Sequence, residues 1–127
     1  MLKLLLIAAG GAFGALARYA VSGWVQRLAS EAFPVGTLTV NVLGCLAIGL
    51  LNAVFAGPWL IREEYRIALT IGLLGGFTTF SSFSWETFAL ASDGESFRAA
   101  MNLLLSITLG LTATWIGYRL AIRWFGV

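Results

Sequence analysis

The sequence predicts an all-α membrane protein of four transmembrane helices, with a break in the third. Three observations lead there. Hydrophobic residues make up 59% of the 127 and charged residues only 11%, about half the charged share that keeps the surface of a soluble domain wet. The apolar residues form four continuous runs, near the roughly 20 residues needed to cross hydrocarbon, without the in–out alternation of membrane strands. Inside the third run, a cluster of glycines and hydroxyls interrupts what would otherwise be a plain apolar helix.

The first span covers about residues 4–28 and carries Arg18 among apolar neighbours. Lys3, the run from Leu4 to Ala9 and Ala15-Leu16-Ala17 imitate a cleavable leader. The apolar pattern continues to Trp24 and Val25, which favours a retained span. The second, about 35–56, lies in the uncharged region between Glu31 and Arg62 and stops at Gly57-Pro58. The third, about 67–91, contains Glu86 and ends in the polar turn Ser92-Asp93-Gly94-Glu95. The fourth is about 98–121, so residues 1–127 read as one four-helix domain with short loops at Ser30 to Pro34, Gly57 to Arg66 and Ser92 to Phe97. Trp24, Trp59, Tyr65, Tyr118 and Trp124 fall near span ends, where amphipathic rings favour the headgroup layer.

Charge and cysteine content exclude several classes. The net charge is +2 and the basic residues are scattered, so no nucleic-acid surface is expected. Cys45 is the single cysteine and there is no histidine, which argues against a disulfide, a zinc site or haem. With four spans, Lys3, Arg62, Arg66, Arg119 and Arg123 share one side; Arg27 and Arg98, with Arg18 as a snorkelling candidate, take the other. Five against two or three is a modest bias toward cytoplasmic termini, compatible with single or dual insertion. Gly10 with Gly14, and Cys45 with Gly49, have the spacing that lets helix backbones touch, within one subunit or between two.

Polar groups inside a span are costly, which makes them the functional candidates. Thr37 and Asn41 stand four residues apart on the second span. Ser82 and Glu86 repeat this on the third, with Thr78 extending the stripe if the helix is regular, and Asn102 and Ser106 repeat it on the fourth. Three stripes that converge would form a polar conduit. Thr and Ser hydroxyls and an Asn amide all donate hydrogen bonds to an anion. Only Glu86 favours a cation, and it lies toward a span end. Phe80 and Phe83 are core-packing candidates by spacing, but aromatic edges are electropositive and suit a small anion. Gly75-Gly76 beside Thr78-Thr79 suggests a real helix break, although Gly72 and Gly76 also have packing spacing.

The run Gly75-Gly76-Phe77-Thr78-Thr79-Phe80-Ser81-Ser82-Phe83-Ser84-Trp85-Glu86 resembles the GGxTTFSTFxxE signature of the Fluc/CrcB fluoride channels. Gly36-Thr37-Leu38-Thr39-Val40-Asn41 is similar to that family's GTLxVN motif, and Gly10-Gly11, Gly14-Ala15 and Arg18-Tyr19 resemble its first-span pattern. The resemblance covers essentially the whole chain. It implies a passive, highly selective channel that exports cytoplasmic fluoride, built as an antiparallel dual-topology homodimer with two pores in a bacterial inner membrane. It also implies roles for residues. Phe80 and Phe83 would contact fluoride by their ring edges, and Asn41 would be the pore asparagine. Thr37, Ser82, Glu86 and Ser106 would supply a polar track, and Arg18 an electrostatic lure at the vestibule. Carbonyls of Gly75 and Thr78 from both subunits would hold a structural Na⁺. Ser82 stands where threonine is common in that family, Asn102 where some relatives have tyrosine and Gly110 where some have serine.

The rival reading is a small proton-coupled multidrug transporter, also a four-helix dual-topology dimer. Such a protein relies on a first-span carboxylate, whereas this first span has Arg18 and no acid. A noncatalytic assembly subunit would not need three polar stripes. An enzyme would need a nucleophile–base pair or a metal cluster, and neither is visible.

Overall fold

The computed structural model describes residues 1–29 and 32–126. Of the expected first loop, Ser30 and Glu31 lie outside the described residues. Four long apolar stretches, Leu2–Ala29, Val35–Ala56, Glu63–Ser92 and Ser96–Phe125, are each long and apolar enough to cross a membrane. The second coincides with its apolar run, while the other three extend one to four residues further at each end, where interfacial residues join the helices. Helix α1 (Leu2–Ala29) and α2 (Val35–Ala56) are continuous. The third stretch is composite: α3 (Glu63–Ile67), a π-helical segment (Ala68–Leu74), α4 (Gly75–Phe77) and α5 (Phe80–Ser92). Helix α6 (Ser96–Phe125) completes the bundle.

Small residues decide how these helices pack. The most extensive contact joins α2 to α6. A side chain at Gly49 would run into the Thr114 carbonyl, and one at Gly117 into the Leu46 carbonyl. On α6, Gly110, Ala113, Gly117 and Ala121 are buried at helical spacing and form the seam. Helix α1 meets the π-helical segment in the same way. Gly10 and Gly14 face the backbone of Gly72 and Leu73, and Gly72 faces the Ile7 carbonyl. Gly10 and Gly14 are thus within-chain packing glycines, and so is the Gly72–Gly76 pair, since Gly76 lies against Gly11. Backbones that approach this closely gain dispersion contacts, which drive association in a solvent as apolar as the side chains.

The helix ends are tied by side chains where the backbone alone would leave donors free. Pro34 gives α2 no side-chain cap. Gln26 of α1 supplies the missing acceptor, its Oε1 receiving the Gly36 N–H at 3.1 Å while its Nε2 donates to the Phe33 carbonyl at 3.0 Å. The turn from α5 to α6 passes through Gly94 at φ 79°, in the left-handed region that glycine enters without a Cβ clash. At the membrane edge, Lys3 pairs with Glu63 at 2.8 Å and Arg62 with Glu64 at 3.0 Å. Exposed pairs of this kind contribute roughly 0–1 kcal/mol, so they orient rather than stabilise.

Candidate functional site

The third span stops winding at two residues. Thr78 (φ −84°, ψ 158°) and Thr79 (φ −151°, ψ 112°) are extended. This is narrower than the Gly75-to-Thr79 break expected from the sequence, because Gly75–Phe77 keeps helical geometry. The reason is packing and capping. Gly76 is held against α1, and the Thr79 hydroxyl starts α5 by accepting the Ser82 N–H at 3.2 Å. Thr78 also leaves the expected stripe, its hydroxyl donating to the Leu74 carbonyl at 2.9 Å.

Asn41 holds the break open. Its Oδ1 accepts the Thr79 N–H at 2.8 Å, and its Nδ2 donates to the Thr79 carbonyl at 3.0 Å. One amide satisfies both backbone groups of an extended residue, as a neighbouring strand would. Because the Thr79 N–H is turned to Asn41, the Gly75 carbonyl lacks its regular helical donor. Among the carbonyls that the break frees, that of Thr78 accepts from Arg18 Nη1 at 3.3 Å.

Two compartments flank the break and share Thr79 as a wall. The larger, about 420 Å³, is lined by Asn41, Cys45, Gly75, Thr78, Phe80, Phe83 and Ser106, among others. The Phe80 and Phe83 rings are 5.5 Å apart and tilted by 52°. Phe83 is 9% exposed and Phe80 79%. The second compartment, about 390 Å³, brings together Arg18, Tyr19, Ser22, Thr37, Ser82 and Glu86. Thr37 donates its hydroxyl to Glu86 Oε1 at 2.7 Å, and Glu86 Oε2 is buried without a hydrogen-bond partner. Ser82 Oγ accepts from the Thr79 hydroxyl at 3.1 Å.

The site residues that the family resemblance implies all line these compartments, but in two groups. Asn41, Phe80, Phe83, Ser106, Gly75 and Thr78 fall on one side; Thr37, Ser82, Glu86 and Arg18 fall on the other. The fourth-span stripe does not hold together. Ser106 lines the larger compartment, whereas Asn102 is 1% exposed and donates to Thr87 Oγ1 at 2.9 Å. Thr87 in turn donates to the Phe83 carbonyl at 2.7 Å. Sequence reasoning placed Thr79 in the break without giving its side chain a role, and missed Thr87. Thr79 three residues before Ser82 is an N-cap signal, and Thr87 is one more hydroxyl inside a span.

Hydroxyls and an amide ranged along a broken membrane helix, with Arg18 bonded to the break, define a permeation protein for a small polar species rather than an enzyme. Comparison with known proteins makes this specific. The family model described as CrcB-like protein, camphor resistance (CrcB), matches residues 5–118, and the chain belongs to that family. A protein of Geobacter metallireducens named fluoride-specific ion channel FluC is 51% identical over 121 residues, 95% of this chain and 98% of the relative. Its namesake in Geobacter sulfurreducens is equally similar, and one in Vibrio vulnificus is 46% identical over 90% of each chain. The multidrug-transporter reading gains no support from these relatives.

Proposed function

We propose that the chain is a passive, selective fluoride channel of a bacterial inner membrane, working as an antiparallel homodimer inserted in both orientations. The observation that carries the reading is the larger compartment, where the Asn41 amide, the Ser106 hydroxyl and the rings of Phe80 and Phe83 meet without a fixed cation. The relatives' name supplies the ion. Fluoride is small and tightly hydrated, so a path for it must replace water with several short-range donors. Permeation also requires sites weak enough to release the ion, which favours neutral donors and ring edges over a buried lysine or arginine. Arg18 then acts from the second compartment, raising the local concentration of anions. A negative interior potential drives trapped fluoride outward with no coupled ion.

The dimer is supported by what one chain leaves open. Phe80 and Gly75 are exposed beside the larger compartment, and a Cβ at Gly75 would meet nothing closer than the Thr70 carbonyl at 3.9 Å. A second copy over this face would complete each pore with residues from both chains. The same face suits a structural Na⁺. The Gly75 carbonyl is without its helical donor, and the Thr78 carbonyl keeps a lone pair beyond the bond from Arg18. Two chains would contribute two such carbonyls each, a hard-oxygen set that fits the ion. Bound there, Na⁺ would join the two breaks.

Efflux from liposomes holding the purified protein, fluoride compared with chloride, tests the function. Fluoride should leave and chloride should stay; a folded preparation that passes no fluoride would overturn the reading. A crystal of the dimer without ion density among the Gly75 and Thr78 carbonyls would remove the sodium ion alone.

A further inference from the structure

A third concavity lies far from the break, on the outer surface of α6 near its C-terminal end. It has a volume of about 370 Å³ and is lined by Trp115, Ile116, Arg119, Leu120, Ile122 and Arg123. Trp115, Arg119 and Arg123 follow one another at single-turn intervals, so they stack along one helix face. The Arg119 guanidinium sits 5.9 Å from the centre of the Trp115 ring, within cation–π range. Trp115, Arg119 and Arg123 are all exposed.

The charge on this face is uncompensated. Five basic residues share this edge of the bundle, and two of them, Lys3 and Arg62, are matched by Glu63 and Glu64. Among the described residues, neither Arg119 nor Arg123 has a carboxylate partner within ion-pair distance. Two unpaired guanidinium groups, an apolar floor of Ile116, Leu120 and Ile122, and a tryptophan one turn deeper sit at the end of a membrane-crossing helix. Guanidinium groups bind phosphate through paired, charge-assisted hydrogen bonds. The apolar floor matches an acyl chain, and tryptophan favours the boundary between chain and headgroup.

We infer that Arg119, Arg123 and Trp115 form a binding site for one anionic phospholipid, its phosphodiester on the two guanidinium groups and its first acyl carbons along Ile116 and Leu120. The site requires no particular permeant ion and stands apart from the pore residues. A basic side chain at an anionic membrane surface contributes about fivefold in affinity, so the pair should favour an anionic over a zwitterionic headgroup about 25-fold.

Native mass spectrometry of the full-length protein, given phosphatidylglycerol and phosphatidylcholine with identical acyl chains, reads this directly. The wild type should retain phosphatidylglycerol preferentially, saturating at one tightly held molecule per chain. Arg119→Gln with Arg123→Gln should abolish the preference, while Arg98→Gln, at the opposite edge and paired with Glu95, should leave it intact. Fluoride efflux from phosphatidylcholine liposomes should be the same for all three proteins. Equal retention of the two lipids by the wild type would overturn the assignment, and so would a preference that survives the double substitution. Displacement of the lipid by millimolar inorganic phosphate would reassign the site to the free anion.

Discussion

Asn41 is the residue on which the break depends, because it alone bonds both the N–H and the carbonyl of Thr79. Asn41→Ala would leave the Thr79 N–H unpaired, at about 1–3 kcal/mol before rearrangement, while the Thr79 carbonyl, at the N-cap of α5, keeps the first intrahelical bond. Asn41→Asp keeps the acceptor for the Thr79 N–H but loses the donor to the carbonyl and places a carboxylate in the proposed anion path. Fluoride efflux should fall at least tenfold in Asn41→Asp, with chromatographic behaviour unchanged; undiminished efflux would take Asn41 out of the pathway. Thr87 makes a second residue-scale test. Thr87→Val removes the acceptor of the buried Asn102 amide and should lower thermal stability by about 1 kcal/mol, whereas Thr87→Ser should restore it. The importance of Asn41 was legible from one polar amide in an apolar span. Its partner was not, since Thr79 lies 38 residues away and is reached only when α2 packs beside the break. Likewise Asn102 and Ser106 shared a stripe by spacing, yet four residues advance a helix by 40° more than one turn. That offset is enough to send one side chain toward Thr87 and the other into the compartment.

At the scale of elements, glycine spacing sets the helix separations. The Gly10–Gly14 and Cys45–Gly49 spacings were visible in the sequence, but spacing leaves open whether a partner helix belongs to the same chain. Here the backbone of the third span and α6 fills both. Two glycines three residues apart on α1 should behave differently. A Cβ at Gly14 would press into Leu73 and Phe77 backbone, while one at Gly11 would meet only the Gly72 carbonyl at 3.9 Å. Gly14→Ala should therefore cost about 1–3 kcal/mol by overpacking, and Gly11→Ala should be neutral or slightly stabilising. Thermal unfolding in detergent separates them, and equal destabilisation would mean that α1 is not seated on the third span as described. The break shows the same limit of sequence. Gly75-Gly76 marked a weak place in the helix, but Thr79 capping and the bond to Asn41 place the extended backbone three residues later.

For the whole molecule, four spanning helices and their order were legible from composition alone, because hydrocarbon demands continuous apolar runs with satisfied backbones. Apolar runs carry no comparable signal for association, since lipid and partner helix offer similar apolar surroundings. The proposed antiparallel pair requires the chain to insert both ways, and five basic residues on one edge against two or three on the other give only a modest bias. A single accessible cysteine reads this out. Cys45→Ala removes the native thiol, and Ser92→Cys places a new one at the end of α5, in the turn toward α6. In intact cells a membrane-impermeant maleimide should label part of the population, and the remainder should become reactive only after the membrane is opened. Complete labelling before opening, or none, would establish one orientation and exclude the antiparallel pair. The same thiol checks the pairing itself, because an antiparallel partner carries its copy of the turn on the opposite side of the membrane. Short bifunctional reagents should then fail to join two Ser92→Cys chains, and efficient cross-linking would instead require a parallel dimer.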